Sequence, residues 1–195
     1  MKIAEHIYYR KGSCCTYLID DGTLIDPGFI DFDAILEMLV EASVPPSKLK
    51  SLVLTHSHRD HAGLAAVIKR NTAVKVYAHR KKGNNILQSG IYANLDNVVD
   101  EYVEEGDIMP ILGGAKVLYT PGHTSDHIGL YLMKEKILFS GDALQIKNGK
   151  LCMAPKGLNY DNKIARESFE RLIKLDYRIL CPGHREPKFT GQNPQ

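Results

Sequence analysis

The sequence predicts an α+β protein in four layers, with two β-sheets packed face to face and helices on both outer surfaces. Three observations lead there. Short apolar runs bounded by Gly, Pro, Asn or Asp turns recur in both halves of the 195 residues, as strands do. Stretches of helical period interrupt them at 31–42, after residue 60 and at 161–175. The run Leu52-Val53-Leu54-Thr55 is apolar on both faces, which suits a strand sandwiched between two helical layers. No linker breaks the order, so residues 1–195 are expected to form a single domain, a length that buries a substantial core.

Taken in order, 3–9, 14–19 and 23–26 read as a β-meander, turned by Lys11-Gly12 and Asp20-Asp21-Gly22. Asp26-Pro27-Gly28 ends the third strand; Asp26 either forms that turn, the simpler reading, or holds the outer nitrogen of a nearby histidine. Residues 31–42 form an amphipathic helix with Ile35, Leu36, Leu39 and Val40 on its stripe, stopped by Pro45-Pro46. A central strand follows, then a helix carrying Leu64, Val67 and Ile68 and ending near Arg70-Asn71. Next come a strand at 74–77, a helix or helical loop at 79–88, and an illegible stretch at 90–106, placed as an edge over the site. Hairpins are expected at 108–120, around Gly113-Gly114, and at 128–139. Asp161 starts a helix with Ile164, Phe169, Leu172 and Ile173 inward, and 178–181 is the last strand.

The chemistry concentrates in Thr55-His56-Ser57-His58-Arg59-Asp60-His61. His56 and His58 share a side of an extended chain. Asp60 sits where the next helix begins and is expected to cap its free N–H groups. Three imidazoles and a carboxylate within six positions make a metal cradle. Three further turns, each after an apolar strand, pair glycine with a ligand type: Pro121-Gly122-His123, Gly141-Asp142 and Pro182-Gly183-His184. If all four strands end on one rim, His56, His58, Asp60, His61, His123, Asp142 and His184 share a bowl. That set exceeds the needs of one tetrahedral ion and suits two ions about 3.5–4 Å apart.

These motifs, in this order and at these intervals, resemble the metallo-β-lactamase superfamily, nearest to its single-domain glyoxalase II-like (hydroxyacylglutathione hydrolase-like) hydrolases. The resemblance covers nearly the whole chain and implies the αββα sandwich of the metallo-β-lactamase fold. It also implies that His56, His58 and His123 bind one metal, that Asp60, His61 and His184 bind a second, and that Asp142 bridges them. Asp142 points away from the true β-lactamases, which lack that aspartate. His58 points away from the di-iron flavoproteins, which place Glu there. The implied enzyme is a binuclear hydrolase in which a bridging hydroxide attacks a small ester, thioester or lactone, with Asp60 orienting it and taking its proton. Zinc is the expected metal, with iron or manganese compatible. The rival activities are a mononuclear iron persulfide dioxygenase and a metal-dependent phosphodiesterase. Nothing after His184 matches the helical region with which glyoxalase II holds glutathione, so thioester or ester chemistry is expected with no glutathione site implied.

Several residues stay outside these roles. Asp126 replaces the usual glycine and either ends a turn, the favoured reading, or hydrogen-bonds a ligand histidine's outer nitrogen. His127 is read as structural before a contact to the metal ligands or substrate, and His6 and His79 as surface or core histidines. Lys147, Lys150, Lys156 and Tyr160 serve equally as an anion-holding or a solvated loop. The basic run Lys69-Arg70, Lys75, Arg80-Lys81-Lys82 reads as a solvated face, and a net charge of +2 gives no case for nucleic acid. The expected partner is a small-molecule substrate, with no nucleic acid and no membrane. No apolar stretch reaches spanning length, and the first ten residues lack the hydrophobic core of a signal peptide, so the expected address is cytoplasmic. Cys14, Cys15, Cys152 and Cys181 include no C-x-x-C pair and are expected as free thiols, Cys181 buried and unreactive.

Overall fold

The computed structural model describes residues 1–29, 32–81, 83 and 91–189. The first sheet runs in order β1 (Lys2–Ala4), β2 (Ile7–Lys11), β3 (Cys15–Ile19), β4 (Thr23–Ile25), β5 (Ser51–Val53), β6 (Lys75–His79) and β7 (Glu101–Val103). Its first four strands pair antiparallel and the last four parallel. The crossovers between parallel strands carry α1 (Phe32–Glu41), α2 (Arg59–Ala62) and α3 (Ala65–Asn71). The second sheet uses β8 (Ile108–Met109), β9 (Ala115–Tyr119), β10 (Ile128–Leu132) and β11 (Ile137–Gly141). A separate hairpin follows, β12 (Gln145–Lys147) and β13 (Lys150–Cys152), and then α4 (Asn162–Leu172). The chain returns through β14 (Ile179–Pro182), parallel to β11, and β15 (Lys188–Phe189) completes the order β15-β14-β11-β10-β9-β8.

Alternation along the strands sorts the core into layers. Ile25, Val53, Val117, Leu130, Phe139 and Cys181 meet between the sheets, where the Tyr17 and Phe139 rings pack edge to face at 5.2 Å. Their neighbours Leu24, Leu52 and Leu54 turn the other way, onto Ile35, Met38, Leu39 and Ile68 of the helices. On the far side Leu118, Leu138 and Leu180 receive Leu172. The result is helix, sheet, sheet, helix, the expected αββα order. Each fully buried Leu, Ile or Phe contributes about 1.5–3 kcal/mol.

The structure corrects several local readings. β5 is buried on both faces, but only one is covered by helices; the other faces the second sheet. The α1 stripe is Ile35, Met38 and Leu39, while Val40 is 78% exposed. The opening run divides into β1 and β2 around Glu5-His6. Residue 79 ends β6 instead of starting a helix; Lys82 and 84–88 of that expectation lie outside the described residues. The stretch 90–106 holds the edge strand β7, and the hairpin β12–β13 and strand β15 were not expected. Lys69, Lys75 and Arg80 pair with Asp100, Glu101 and Glu104 along that edge, a solvated and ion-paired face. The four cysteines are free, and burial pushes the Cys181 thiol well up.

Candidate metal centre

Four strands deliver side chains to one rim. His56 and His58 leave the end of β5, Asp60 and His61 sit in α2, His123 follows β9, Asp142 follows β11, and His184 follows β14. Donor atoms group as His56, His58, His123; as His56, His61, Asp142; and as Asp60, His61, His184, each set within 4.8 Å. All seven residues singled out in the sequence therefore come together.

Hydrogen bonds behind the cluster orient its rings, an arrangement that fixes which nitrogen is free. The Thr55 hydroxyl donates to Asp26 Oδ2 at 2.6 Å, so at 3.0 Å from His56 Nδ1 it accepts. His61 Nδ1 donates to the same Asp26 oxygen at 2.8 Å. His123 Nδ1 faces Asn159 Oδ1 at 3.4 Å, while the Asn159 amide nitrogen donates to Asn162 Oδ1 and Ala154 O. Each Nε2 lone pair is thus turned inward. There His58 Nδ1 lies 3.0 Å from His56 Nε2 and 3.1 Å from His123 Nε2.

Asp142 occupies the middle. Its Oδ2 lies 3.3 Å from His123 Nε2 and 3.2 Å from His184 Nε2, and its Oδ1 lies 3.5 Å from His61 Nε2. Oδ1 is buried without a hydrogen-bond partner. The Asp142 amide donates to His127 Nε2 at 2.9 Å, and His127 Nδ1 stands 2.7 Å from the Thr120 hydroxyl. His127 is thus a structural histidine that holds the Asp142 backbone. A side chain on Gly183 would collide with Asp142 Oδ1 and the His61 ring, so only glycine lets that turn pass.

The charges ask for a cation. Burial, reinforced by His123, lowers the His58 pKa to about 4, and burial likewise lowers His56 and His123. Hydrogen bonds to Asp142 and Asp60 push His184 up to about 10. Burial would raise Asp142, but His61, His184 and His123 overcome it and hold the carboxyl well below its usual range. Uncharged imidazole lone pairs about 3 Å apart, beside an orphaned carboxylate oxygen, suit divalent cations of borderline softness. The donor set fits such ions.

Two expectations change here. Asp60 does not cap α2: its carboxylate makes no cap hydrogen bond, His58 is the N-cap residue, and Asp60 Oδ2 stands 3.3 Å from His184 Nε2. Asp26 is more than a turn former, although its φ of +49° marks a tight bend. Other contributors escaped the sequence reading. Thr55 and Asn159 anchor rings, and the Tyr92 ring packs on His58 with centroids 4.9 Å apart. Asp126 is buried beside Ser57 and Thr124 instead of at a ligand histidine's outer nitrogen.

Among known proteins, the metallo-beta-lactamase superfamily profile matches residues 9–184. The chain belongs to the metallo-beta-lactamase superfamily. "Hydroxyacylglutathione hydrolase GloC" of Haemophilus influenzae is 28% identical over 192 residues, covering 91% of this chain and 88% of that protein. "Hydroxyacylglutathione hydrolase" of Rhodopseudomonas palustris (strain BisB5) is 32% identical over 181 residues, and the chain spans 63% of its length. A solved structure of TTHA1623 in a di-iron-bound form superposes with a TM-score of 0.69 at 25% identity, covering 90% of this chain and 89% of that one. Within the superfamily the chain is a metal-dependent hydrolase in class. Among the described residues no helix is long and apolar enough to cross a membrane.

Proposed function

We propose that the chain is a binuclear hydrolase of small esters, thioesters or lactones. In this reading His56, His58 and His123 hold one cation, Asp60, His61 and His184 hold another, and Asp142 lies between them. The observation that carries it is the Asp142 carboxylate, set within 3.5 Å of imidazole nitrogens from both groups. Two relatives named hydroxyacylglutathione hydrolase support the thioester class. Zinc is the proposed metal; the di-iron form of a similar structure keeps iron as the comparison to test. The four free thiols accord with a reducing, cytoplasmic address.

When bound, such ions would render water acidic enough to supply hydroxide near neutral pH and would polarise a carbonyl. The chain's own groups do the rest. Burial works against the Asp60 charge, but His184 and His61 outweigh it and lower the pKa, so Asp60 is an acceptor at neutral pH. About a third exposed at the rim, its Oδ2 is placed to orient water and hold the proton it gives up. Asp26 and Thr55 keep His61 and His56 facing inward. The Tyr92 ring walls off the His58 side.

Elemental analysis joined to a panel of thioesters, lactones and phosphodiesters tests the reading. About two metal equivalents per chain and hydrolysis of an ester or thioester are expected. Asp60→Asn should abolish turnover with the fold intact. Near-normal hydrolysis by metal-loaded Asp60→Asn would falsify the assignment. Oxygen uptake on glutathione persulfide by iron-loaded protein would move it to oxidation.

A further inference from the structure

A cavity of about 240 Å3 lies behind Tyr92, lined by Ser57, His79, Lys81, Tyr92, Tyr102 and Asp126 among others. Tyr92 is a wall common to both places, since its ring also covers His58. Ser57 falls between His56 and His58, and neighbours along an extended chain face opposite ways. Two imidazoles enter the metal cluster while the hydroxyl between them belongs to this cavity.

The polar floor has unmet needs. Asp126 and Ser57 are each 6% exposed and Thr124 is fully buried. Asp126 Oδ1, Ser57 Oγ and Thr124 Oγ1 are all buried without a hydrogen-bond partner. Burial raises the Asp126 pKa, and the neighbouring Thr124 and Ser57 only partly offset this. The Ser57 and Thr124 hydroxyls turn toward the Asp126 carboxylate, Thr124 from beneath the lining, so the need that remains is that of Asp126. A buried polar group left unsatisfied costs about 1–3 kcal/mol, and a buried carboxylate oxygen calls for a ligand that donates to it.

The chemistry selects that ligand. The Asp126 carboxylate, toward which the Ser57 and Thr124 hydroxyls donate, only accepts hydrogen bonds and excludes an anion. An ammonium answers both the lone pairs and the charge, whereas a neutral donor leaves the charge unmatched. Lys81 does not fill this role, because its Nζ donates to the Tyr119 hydroxyl at 2.9 Å and lies over that ring. The Tyr92 face adds an electron-rich surface that favours a cation. At roughly 30 Å3 per water-sized volume, the cavity holds on the order of eight heavy atoms. That is a short chain ending in an amine.

We propose that this cavity is the specificity pocket of the hydrolase site and seats the terminal ammonium of a short aminoacyl chain on Asp126. The placement of the reacting carbonyl beside His58 rests on the function proposed above; the binding of the amine does not.

The test compares isosteres that differ only in NH3+ against CH3. NMR titration of the metal-loaded protein with 4-aminobutyramide and with pentanamide reads binding without hydrolysis. The amine should bind at least about tenfold tighter, a difference of about 1.4 kcal/mol, and Asp126→Asn should level the two. Thr124→Val, which removes one of the adjoining hydroxyls, should reduce the preference severalfold and serves if Asp126→Asn does not fold. Equal binding by the wild type would mean that ordered water alone occupies the cavity and would overturn the proposal, as would a preference that survives Asp126→Asn. The matching thioesters separate the two readings. Hydrolysis of both acyl groups without amine preference removes the pocket and leaves the hydrolase. Amine preference in binding without any hydrolysis removes the hydrolase and leaves the pocket.

Discussion

Asp26 shows how one side chain outside the ligand set governs it. Its Oδ1 accepts the Thr55 amide at 2.8 Å, and its Oδ2 accepts both the Thr55 hydroxyl and His61 Nδ1. One carboxylate thereby orients His61 directly and His56 through Thr55. Outer partners of metal-bound histidines typically contribute 10–100-fold in affinity, roughly. Asp26→Asn keeps the size but drops the charge and replaces one acceptor with a donor facing Thr55 or His61. Metal affinity, measured by competition with a chelator, should fall by about one to two orders of magnitude. Unchanged affinity would show that the rings keep their orientation without it. In the sequence, Asp26 is one residue of an Asp-Pro-Gly turn, 35 positions from His61, so the turn was the simpler reading and the hold on a histidine's outer nitrogen, which the structure shows, only its alternative.

Helix α4 carries the same logic to the element scale, because its entry holds the turn at His123. Asp161 caps it, accepting from the Lys163 amide at 2.8 Å and the Ile164 amide at 3.0 Å. The Asp161 and Tyr160 amides donate to Gly122 O and His123 O. Asp161→Ala should cost about 1 kcal/mol, read from the urea midpoint. Gly122 has φ +122°, and a Cβ there would run into the backbone of Ala165. Gly122→Ala should therefore cost more than the cap and lower metal content as well, since His123 follows it. The edge β6–β7 gives a pH-dependent counterpart. The Lys69 hydrogen bond and the Val76 amide lower the Asp100 carboxyl pKa. Asp100 therefore adds stability above the carboxyl's unfolded pKa of about 3.9, and loses it as pH falls through the lower folded value. The pair is about a third exposed, so Asp100→Asn should cost about 0.5 kcal/mol at pH 7, with the gap closing below about pH 4 in urea titrations. Elements whose apolar run matches their burial were legible in the sequence, as in β5 and β9 to β11. Helices α3 and α4 were legible as helices, but their buried faces are Ala65 and Ile68, and Ala165, Ser168 and Leu172, with Val67, Ile164, Phe169 and Ile173 only half-buried. Elements set by pairing partners were not legible. β7 is two-thirds exposed and is a strand because β6 offers it a parallel neighbour. The β12–β13 hairpin turns on Asn148-Gly149, with φ +51° and +76°, an Asn-Gly signal that was there to find. The seven ligand-type residues were legible because each closes a strand with a short motif. Thr55, Asn159 and the Ser57, Thr124, Asp126 floor were not, because they matter only through contacts across the chain.

On the scale of the molecule, the candidate centre lies on the seam between the two sheets. His56, His58, Asp60 and His61 follow β5 of the first sheet, whereas His123, Asp142 and His184 follow strands of the second. Away from the rim the sheets are held by apolar packing of Ile25, Val53, Val117, Leu130 and Phe139. At the rim they meet through imidazoles and carboxylates, which gain little from burial and which, in the function proposed, bound cations would join. A ligand that binds only the folded chain stabilises it by mass action, by about 4 kcal/mol at a free concentration a thousandfold above Kd. For a chain of this length about 1 kcal/mol corresponds to roughly 2–4 °C in Tm. Removing bound metal with a chelator should therefore lower Tm by on the order of 10 °C, reversed by adding metal back. Far-UV circular dichroism below the transition should stay the same, because the apolar core between the sheets needs no ion. His58→Ala should show a smaller drop on chelation, since it removes one donor from a single group and leaves Asp142 between the sheets. An unchanged Tm after metal loss is verified by elemental analysis would mean that the sheets are not tied together by ions at this seam, and the seven residues would need another account.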